Sequence, residues 1–263
     1  MQTIIDLFES SVTQFGLRPF MWQKSDGKYL ATTYEQTKEQ AQQFAKGLIE
    51  LGVEQKDHIA LLSEGRNAWI ICELGVLYTG AVNVPLSIKL EASEVLFRVN
   101  HSEAKFLIVS RQQAPKIELI KEKFTHVKHI IYIDGADSND EGITFSEVIQ
   151  KGQSTDNKEI ENRKKSLTGK SLANISYTSG TTSDPKGIIL THRNYTANVE
   201  QAYSLMDIPA DFKTLLILPL DHCFAHVAGI YSFMGKGASL AMVEAGKTPL
   251  ITLKNIPKNI QEI

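Results

Sequence analysis

Between residues 58 and 133 the chain alternates short unbroken apolar runs with longer stretches in which apolar side chains recur every three or four positions. The runs at 59–62, 81–85, 106–109 and 130–133 predict strands buried on both faces. Between the first two, Trp69, Ile70, Leu74, Leu77 and Tyr78 line one helical face, with Asn67 placed to cap its start and Gly80 to end it. Helices are also predicted over 91–99 and 115–124. The rhythm resumes after Leu172, with strands at 172–176, 187–191, 215–219 and 238–243 and helical stretches at 194–206, 222–234 and 250–263. Ahead of residue 58, two amphipathic helices over 3–15 and 33–51 flank a hairpin at 22–31 turning at Asp26-Gly27. Their predicted role is packing. The alternation predicts an α/β fold, with largely parallel sheets flanked by helices on both faces.

Polar stretches at 136–140 and 151–170 interrupt this rhythm, and the chain divides near residue 165. Residues 1–165 form the N-terminal helices and a first α/β subdomain. Residues 166–263 form a second α/β segment. The last stretch is helix-like and no closing strand follows it, so the reading expects a truncated chain.

Composition narrows the function classes. A net charge of −2 over 263 residues gives no electrostatic footprint for nucleic acid. The two cysteines, Cys72 and Cys223, each sit in an apolar run and read as buried thiols in a reducing compartment. The start of the chain lacks the basic end and long apolar core of a signal peptide. The longest apolar stretch, 69–86, is broken by Glu73, Gly75, Thr79, Gly80 and Asn83, too often for a membrane span. A cytoplasmic protein is expected. No Cys/His spacing suggests zinc.

The chemistry concentrates at residues 177–187, Tyr-Thr-Ser-Gly-Thr-Thr-Ser-Asp-Pro-Lys-Gly. Thr178, Ser179, Thr181, Thr182 and Ser183 supply hydroxyls, Gly180 and Gly187 freedom of the backbone, and Lys186 a charge. Backbone amides, hydroxyls and one ammonium between two strands suit a polyphosphate. The spacing is not that of a nucleotide-triphosphatase P-loop, and β-branched Ile188 and Ile189 predict a strand after the loop instead of a helix. On composition alone, a solvated hairpin turn rich in Ser, Thr and Gly reads equally well.

The wider sequence resembles a family. Residues 177–194, Y-T-S-G-T-T-x-x-P-K-G-I-x-L-T-H-R-N, look like the phosphate-loop signature of the adenylate-forming superfamily, which includes acyl-CoA synthetases, luciferases and peptide-synthetase adenylation domains. Residues 51–64 and 75–86 resemble its first two blocks. Leu-Pro-Leu-Asp-His-Cys-Phe at 218–224, with 235–239 downstream, resembles the block of the acyl pocket and is most like long-chain fatty acid–CoA ligases. The similarity spans about residues 30–245. One departure stands out: the family usually has glycine where this chain has Ser183, which tolerates positive φ less well and puts loop shape and phosphate affinity in question.

The resemblance implies a two-step reaction. A carboxylate attacks the α-phosphate of ATP to give acyl-adenylate and pyrophosphate, and the CoA thiol then displaces AMP. Thr178 corresponds to a threonine near Mg²⁺ and the phosphates. Ser179, Gly180, Thr181, Thr182, Ser183 and Gly187 would cradle the phosphates, and Lys186 would neutralise them. His222 corresponds to a histidine beside the substrate carboxylate. His226, one helical turn on, could share that face. His192 reads as structural, and His126 and His129 as surface residues. Phe224, Val227, Ile230, Tyr231 and Met234 read either as an acyl-facing wall or as ordinary core. The implied substrates and cofactors are ATP, Mg²⁺, CoA and a fatty acid, and peripheral membrane contact is compatible with them. The family's adenine, ribose and hinge motifs lie further downstream. These residues are therefore expected to be the N-terminal portion of a ligase, inactive alone, with an exposed apolar patch where the remainder docks. A ligase for short-chain or aryl acids, or a non-catalytic phosphate-binding protein, are the alternatives.

Overall fold

The computed structural model describes residues 2–134, 142–178, 185–246 and 248–263. Helix α1 (Ile4–Phe15) starts at a capping box in which Thr3 and Asp6 satisfy each other's backbone donors. A hairpin follows, β1 (Pro19–Ser25) and β2 (Lys28–Thr33). Its turn residues, Asp26 at φ 48° and Gly27 at φ 78°, both adopt the left-handed conformation that a two-residue hairpin requires. Thr33 and Gln36 form a second capping box that opens α2 (Tyr34–Glu50).

The alternating section comes next: β3 (His58–Leu62), α3 (Asn67–Tyr78), β4 (Val82–Leu86), α4 (Ala92–His101), β5 (Phe106–Val109), α5 (Ala114–Glu118), β6 (His129–Tyr132) and β7 (Ile143–Thr144). Two local expectations change here. Asn67 is the first helical residue, not the cap: the preceding Arg66 holds the cap position without a side-chain bond, and the Asn67 amide donates to Thr32 Oγ1 at 3.2 Å. The helix expected over 115–124 is a five-residue α5 followed by a short 3₁₀ turn, Lys121–Lys123. Gly80, at φ 77°, ends α3 as expected.

Helices α6 (Phe145–Gln153) and α7 (Lys158–Ser166) then lead to β8 (Leu172–Thr178) and β9 (Lys186–Thr191). The chain continues through α8 (His192–Leu205), β10 (Lys213–Leu216), a π-helical segment (Ala225–Tyr231), α9 (Ser232–Met234), β11 (Ser239–Met242) and α10 (Pro249–Glu262).

The described strands build two sheets. One is seven-stranded, in the order β7-β6-β5-β3-β4-β8-β9, and parallel except for the β8–β9 pair. The other is four-stranded, in the order β10-β11-β1-β2, with β1–β11 and β10–β11 parallel and β1–β2 antiparallel. Two hydrophobic clusters flank the large sheet. One, around Leu62, Val84, Val95 and Leu107, lies under α4 and α5. The other, around Phe8, Phe44, Trp69, Ile108 and Tyr231, joins α1, α2 and α3 to the small sheet and the π-helical segment. Large apolar side chains are exposed on β9 (Ile188, Ile189) and on α10 (Leu250, Leu253, Ile260).

Candidate functional site

The hydroxyl-rich loop connects the two strands of a hairpin. β8 and β9 pair antiparallel down to Thr178 opposite Lys186, with Tyr177 opposite Gly187. Thr178 and Lys186 are both exposed at the hairpin mouth. Ser179, Gly180, Thr181, Thr182 and Ser183, which complete the predicted cradle, lie outside the described residues. The chain returns as a strand, and α8 begins only at His192, so no helix N-terminus follows the loop directly. Packing explains Gly187: a Cβ there would stand 2.9 Å from Ile175 Cγ2 and 3.4 Å from the Tyr177 ring.

Tyr177 leans toward α4. Its hydroxyl lies 2.8 Å from His101 Nδ1 and 3.3 Å from the Arg98 carbonyl oxygen. The Arg98 guanidinium sits 5.8 Å from its ring centroid. Burial raises the Tyr177 pKa and keeps the phenol protonated.

A cavity of about 190 Å³ opens beside this tyrosine, lined by Leu86, Ser87, Arg98, Tyr177, Asp221 and His222 among others. It sits at the carboxyl ends of β4 and β8, where open α/β sheets hold their ligands. The His222 side chain is 68% exposed and lies 3.8 Å from the Asp221 carboxylate. The structure therefore brings His222 to the cavity next to Tyr177, while Thr178 and Lys186 stand at the neighbouring hairpin mouth. Sequence reasoning missed Arg98. An arginine on an amphipathic helix reads as solvent-facing, yet this one is only 5% exposed and its Nη1 donates to the Glu94 carbonyl oxygen at 3.0 Å. Its position between the buried Val95 and Val99 was the available signal.

A second cavity, of about 520 Å³, is lined by Arg66, Arg111, Gln112, Asp134, Ala245 and Gly246. Its arginine Arg66 forms an ion pair with Asp134. Among the described residues, no group of three or more His, Cys, Asp or Glu side chains is placed to hold a metal ion. That donor set does not exclude Mg²⁺ carried on a nucleotide, which needs few protein ligands, and the exposed Thr178 hydroxyl is a hard oxygen of the right kind.

The remaining candidates separate. His192 is structural: it is buried, and its Nδ1 accepts from the Ile4 N–H at 3.3 Å. Burial pulls its pKa down to about 4, against a small opposing effect of Asp6. His226 turns inward, fully buried, and does not share the face of His222. His222 lies in the turn that precedes the helix, and only His226 lies on the π-helical segment, so the two are not on one regular helical face. Ile230, Tyr231 and Met234 are core, whereas Phe224 is 65% exposed. His126 is exposed and His129 partly buried against Phe106. Cys72 is buried as expected, but Cys223 is exposed, like its neighbours His222 and Phe224.

Comparison with known proteins gives a consistent picture. A family model described as AMP-binding enzyme matches residues 8–262. A chloroplastic long-chain-fatty-acid–acyl-carrier-protein ligase of Arabidopsis thaliana is 29% identical over 248 residues, covering 88% of this chain and 34% of that protein. A Xenopus laevis long-chain-fatty-acid–CoA ligase, ACSBG2, is 28% identical over 264 residues, covering 97% of this chain and 36% of that protein. The chain thus spans about a third of the length of these curated relatives. Among solved structures, the inhibitor-bound N-terminal domain of FACL13 from Mycobacterium tuberculosis superposes with a TM-score of 0.79 at 23% identity, covering 98% of this chain and 61% of that one. That last likeness is one of fold. No helix among the described residues is long and apolar enough to cross a membrane.

Proposed function

The chain belongs to the AMP-binding enzyme family, and from that premise we propose that it supplies the phosphate-binding and acyl-facing portion of an ATP-dependent fatty acid–CoA ligase. The observation that carries the proposal is the juxtaposition of two features. Thr178 and Lys186 face each other across a hairpin mouth, and His222 lines a cavity one residue away at Tyr177. The named ligase activities of the relatives support the same reading.

The obstacle in the first step is electrostatic, because an anionic carboxylate must approach a polyanion. Lys186 offsets phosphate charge at the mouth, and the loop hydroxyls and amides from Thr178 to Ser183 donate to phosphate oxygens. Mg²⁺ bound with the nucleotide would supply further charge neutralisation, with the Thr178 hydroxyl as its protein contact. His222 orients the substrate carboxylate beside the mouth, in the cavity that Tyr177 and Arg98 also line. In the second step the CoA thiolate attacks the acyl carbon, and AMP leaves with the electron pair of the broken acyl–phosphate bond. A cytoplasmic site of action belongs to the same proposal.

The test is acid-dependent ATP–pyrophosphate exchange by the intact protein that carries this chain. Exchange with long-chain acids is expected. Activity on acetate or benzoate without long-chain acids would move the assignment to a short-chain or aryl acid ligase, and no exchange with any acid would refute it. Lys186→Ala should lower the rate by about 2–3 kcal/mol of transition-state stabilisation, roughly 30- to 150-fold. Because Lys186 is exposed, its removal should leave the unfolding free energy within about 0.5 kcal/mol.

A further inference from the structure

We infer that Glu73 and His226 form a buried positioning pair that fixes the turn carrying Asp221 and His222, and thereby sets where His222 stands in the cavity. The catalytic consequence rests on the ligase reading; the geometry does not. Glu73, on α3, and His226, on the π-helical segment, have side chains 1% and 0% exposed. His226 Nδ1 lies 3.0 Å from Glu73 Oε1, within ion-pair reach of a protonated ring but outside regular hydrogen-bond geometry. Its other ring nitrogen, Nε2, lies 2.8 Å from the carbonyl oxygen of Leu220. Leu220 immediately precedes Asp221 and His222, and the turn is closed by His222 N–H donating to Pro219 and Ala225 N–H donating to His222.

Both ring nitrogens therefore have an oxygen within 3.0 Å, Nε2 in hydrogen-bond geometry and Nδ1 at ion-pair distance. Opposite an ionised Glu73, a neutral imidazole would aim a lone pair at one of these oxygens, so the arrangement favours two N–H donors and a positive ring. A charge-assisted bond to the Leu220 carbonyl is shorter and more directional than a neutral one, which suits a group that must hold a turn in one place. The ring cannot rotate away. It stacks on Tyr195 at 5.7 Å and 17°, and meets Trp69 and Tyr231 edge-on.

Glu73 is fixed in turn by the Asn83 amide, which donates to Oε1 at 3.2 Å from β4. Its other oxygen, Oε2, has no partner among the described residues. Losing His226 would strand a whole carboxylate in the core. The groups that face the ring are Glu73 from α3, Tyr195 from α8, Asp221 from the turn and Tyr231 from its own segment. Burial lowers the His226 pKa, and Glu73, Leu220 and Asp221 more than reverse this, for a net rise. π-Helical winding is rare and clusters at functional sites, which agrees with a segment shaped for placement over strength.

The experiment uses the intact protein and three measurements. Nitrogen-15 NMR of the histidine rings should find His226 doubly protonated at pH 7, and a neutral ring would overturn the proposal without any activity assay. Glu73→Gln should lower kcat roughly tenfold or more by misplacing His222, with KM for ATP held within about twofold because Thr178 and Lys186 stand on β8 and β9 and not on the turn that the pair holds. An unchanged kcat, or a rise in the ATP KM matching the fall in kcat, would overturn it. His226→Arg keeps a permanent two-donor cation. It should retain most of the kcat and lose any fall in kcat between neutral and alkaline pH that the wild type shows. An alkaline limb identical to that of the wild type would overturn the proposal. If the wild type catalyses no acid-dependent exchange, the ligase reading fails, while the NMR result still decides whether the pair is charged.

Discussion

The region where α1 meets α8 and the region where α3 meets the π-helical segment each bury one histidine, and they treat it in opposite ways. His192 packs against α1 with Nδ1 accepting from a backbone N–H, and among the described residues no carboxylate forms an ion pair with it, so burial lowers its pKa to about 4. His226 is at least as buried, but Glu73 lies beside one nitrogen and a carbonyl faces the other, so its pKa moves up instead of down. Burial alone does not decide the state of a histidine; the groups its two nitrogens meet do. The two regions should therefore push stability in opposite directions with pH. His192, with a folded pKa depressed from 6.5 to about 4, favours the fold fully above pH 6.5 and loses that contribution as pH falls toward 4. His226, with a raised folded pKa, contributes fully below its unfolded value of 6.5 and loses that contribution as pH rises through the folded value.

The largest expected effect breaks the contrast at Glu73. Glu73→Ala leaves His226 as a buried base without its acid. Urea denaturation at neutral pH should show a loss of about 3–5 kcal/mol, and the alkaline decline should disappear. A loss below about 1 kcal/mol would mean that the pair contributes no charge to the core.

The next effect sharpens the other side. Acidifying the wild type from pH 7 to pH 4 should cost about 3 kcal/mol through His192. His192→Asn keeps an oxygen near the Nδ1 position to accept from Ile4 N–H, and should flatten that part of the acid slope. An unaltered slope would assign it to carboxylates elsewhere.

The smallest effect probes the support beneath His192. Thr3→Ala removes the capping box at the start of α1, beside the N–H that His192 accepts from. A loss of about 1 kcal/mol is expected, with no change in the pH dependence.

Much of this organisation is written locally. Asp26-Gly27 between alternating residues specifies its hairpin, Thr3 and Thr33 mark helix starts, and the unbroken Phe106–Val109 run can only be a buried strand in this rhythm. The strands flanking the phosphate loop are legible for the same reason, since β-branched Ile188 and Ile189 resist a helix. What local pattern does not carry is partnership. Nothing in the apolar runs distinguishes β1 and β11, which leave the main sheet to pair with each other, from β3 and β4, which stay in it. Glu73 reads only as an interruption in an apolar helix until His226, from a distant segment, arrives beside it. The π-helical winding at Ala225–Tyr231 is invisible because seven mostly apolar residues fit several helical periods equally well. Arg98 is hidden by the habit of placing arginine in solvent.

The small sheet joins the beginning of the chain to a point far along it, with Met21 beside Leu240 and Trp22 beside Ala241. During synthesis the first hairpin leaves the ribosome with one edge unmatched, and its partner emerges more than two hundred residues later. At about 5–20 residues per second this is a delay of roughly ten to forty seconds. Throughout that time the nascent chain presents an open strand edge to any other chain nearby. Slowed translation between these points should raise the demand for chaperones, and a rearranged gene placing the hairpin directly after β11 should lower it.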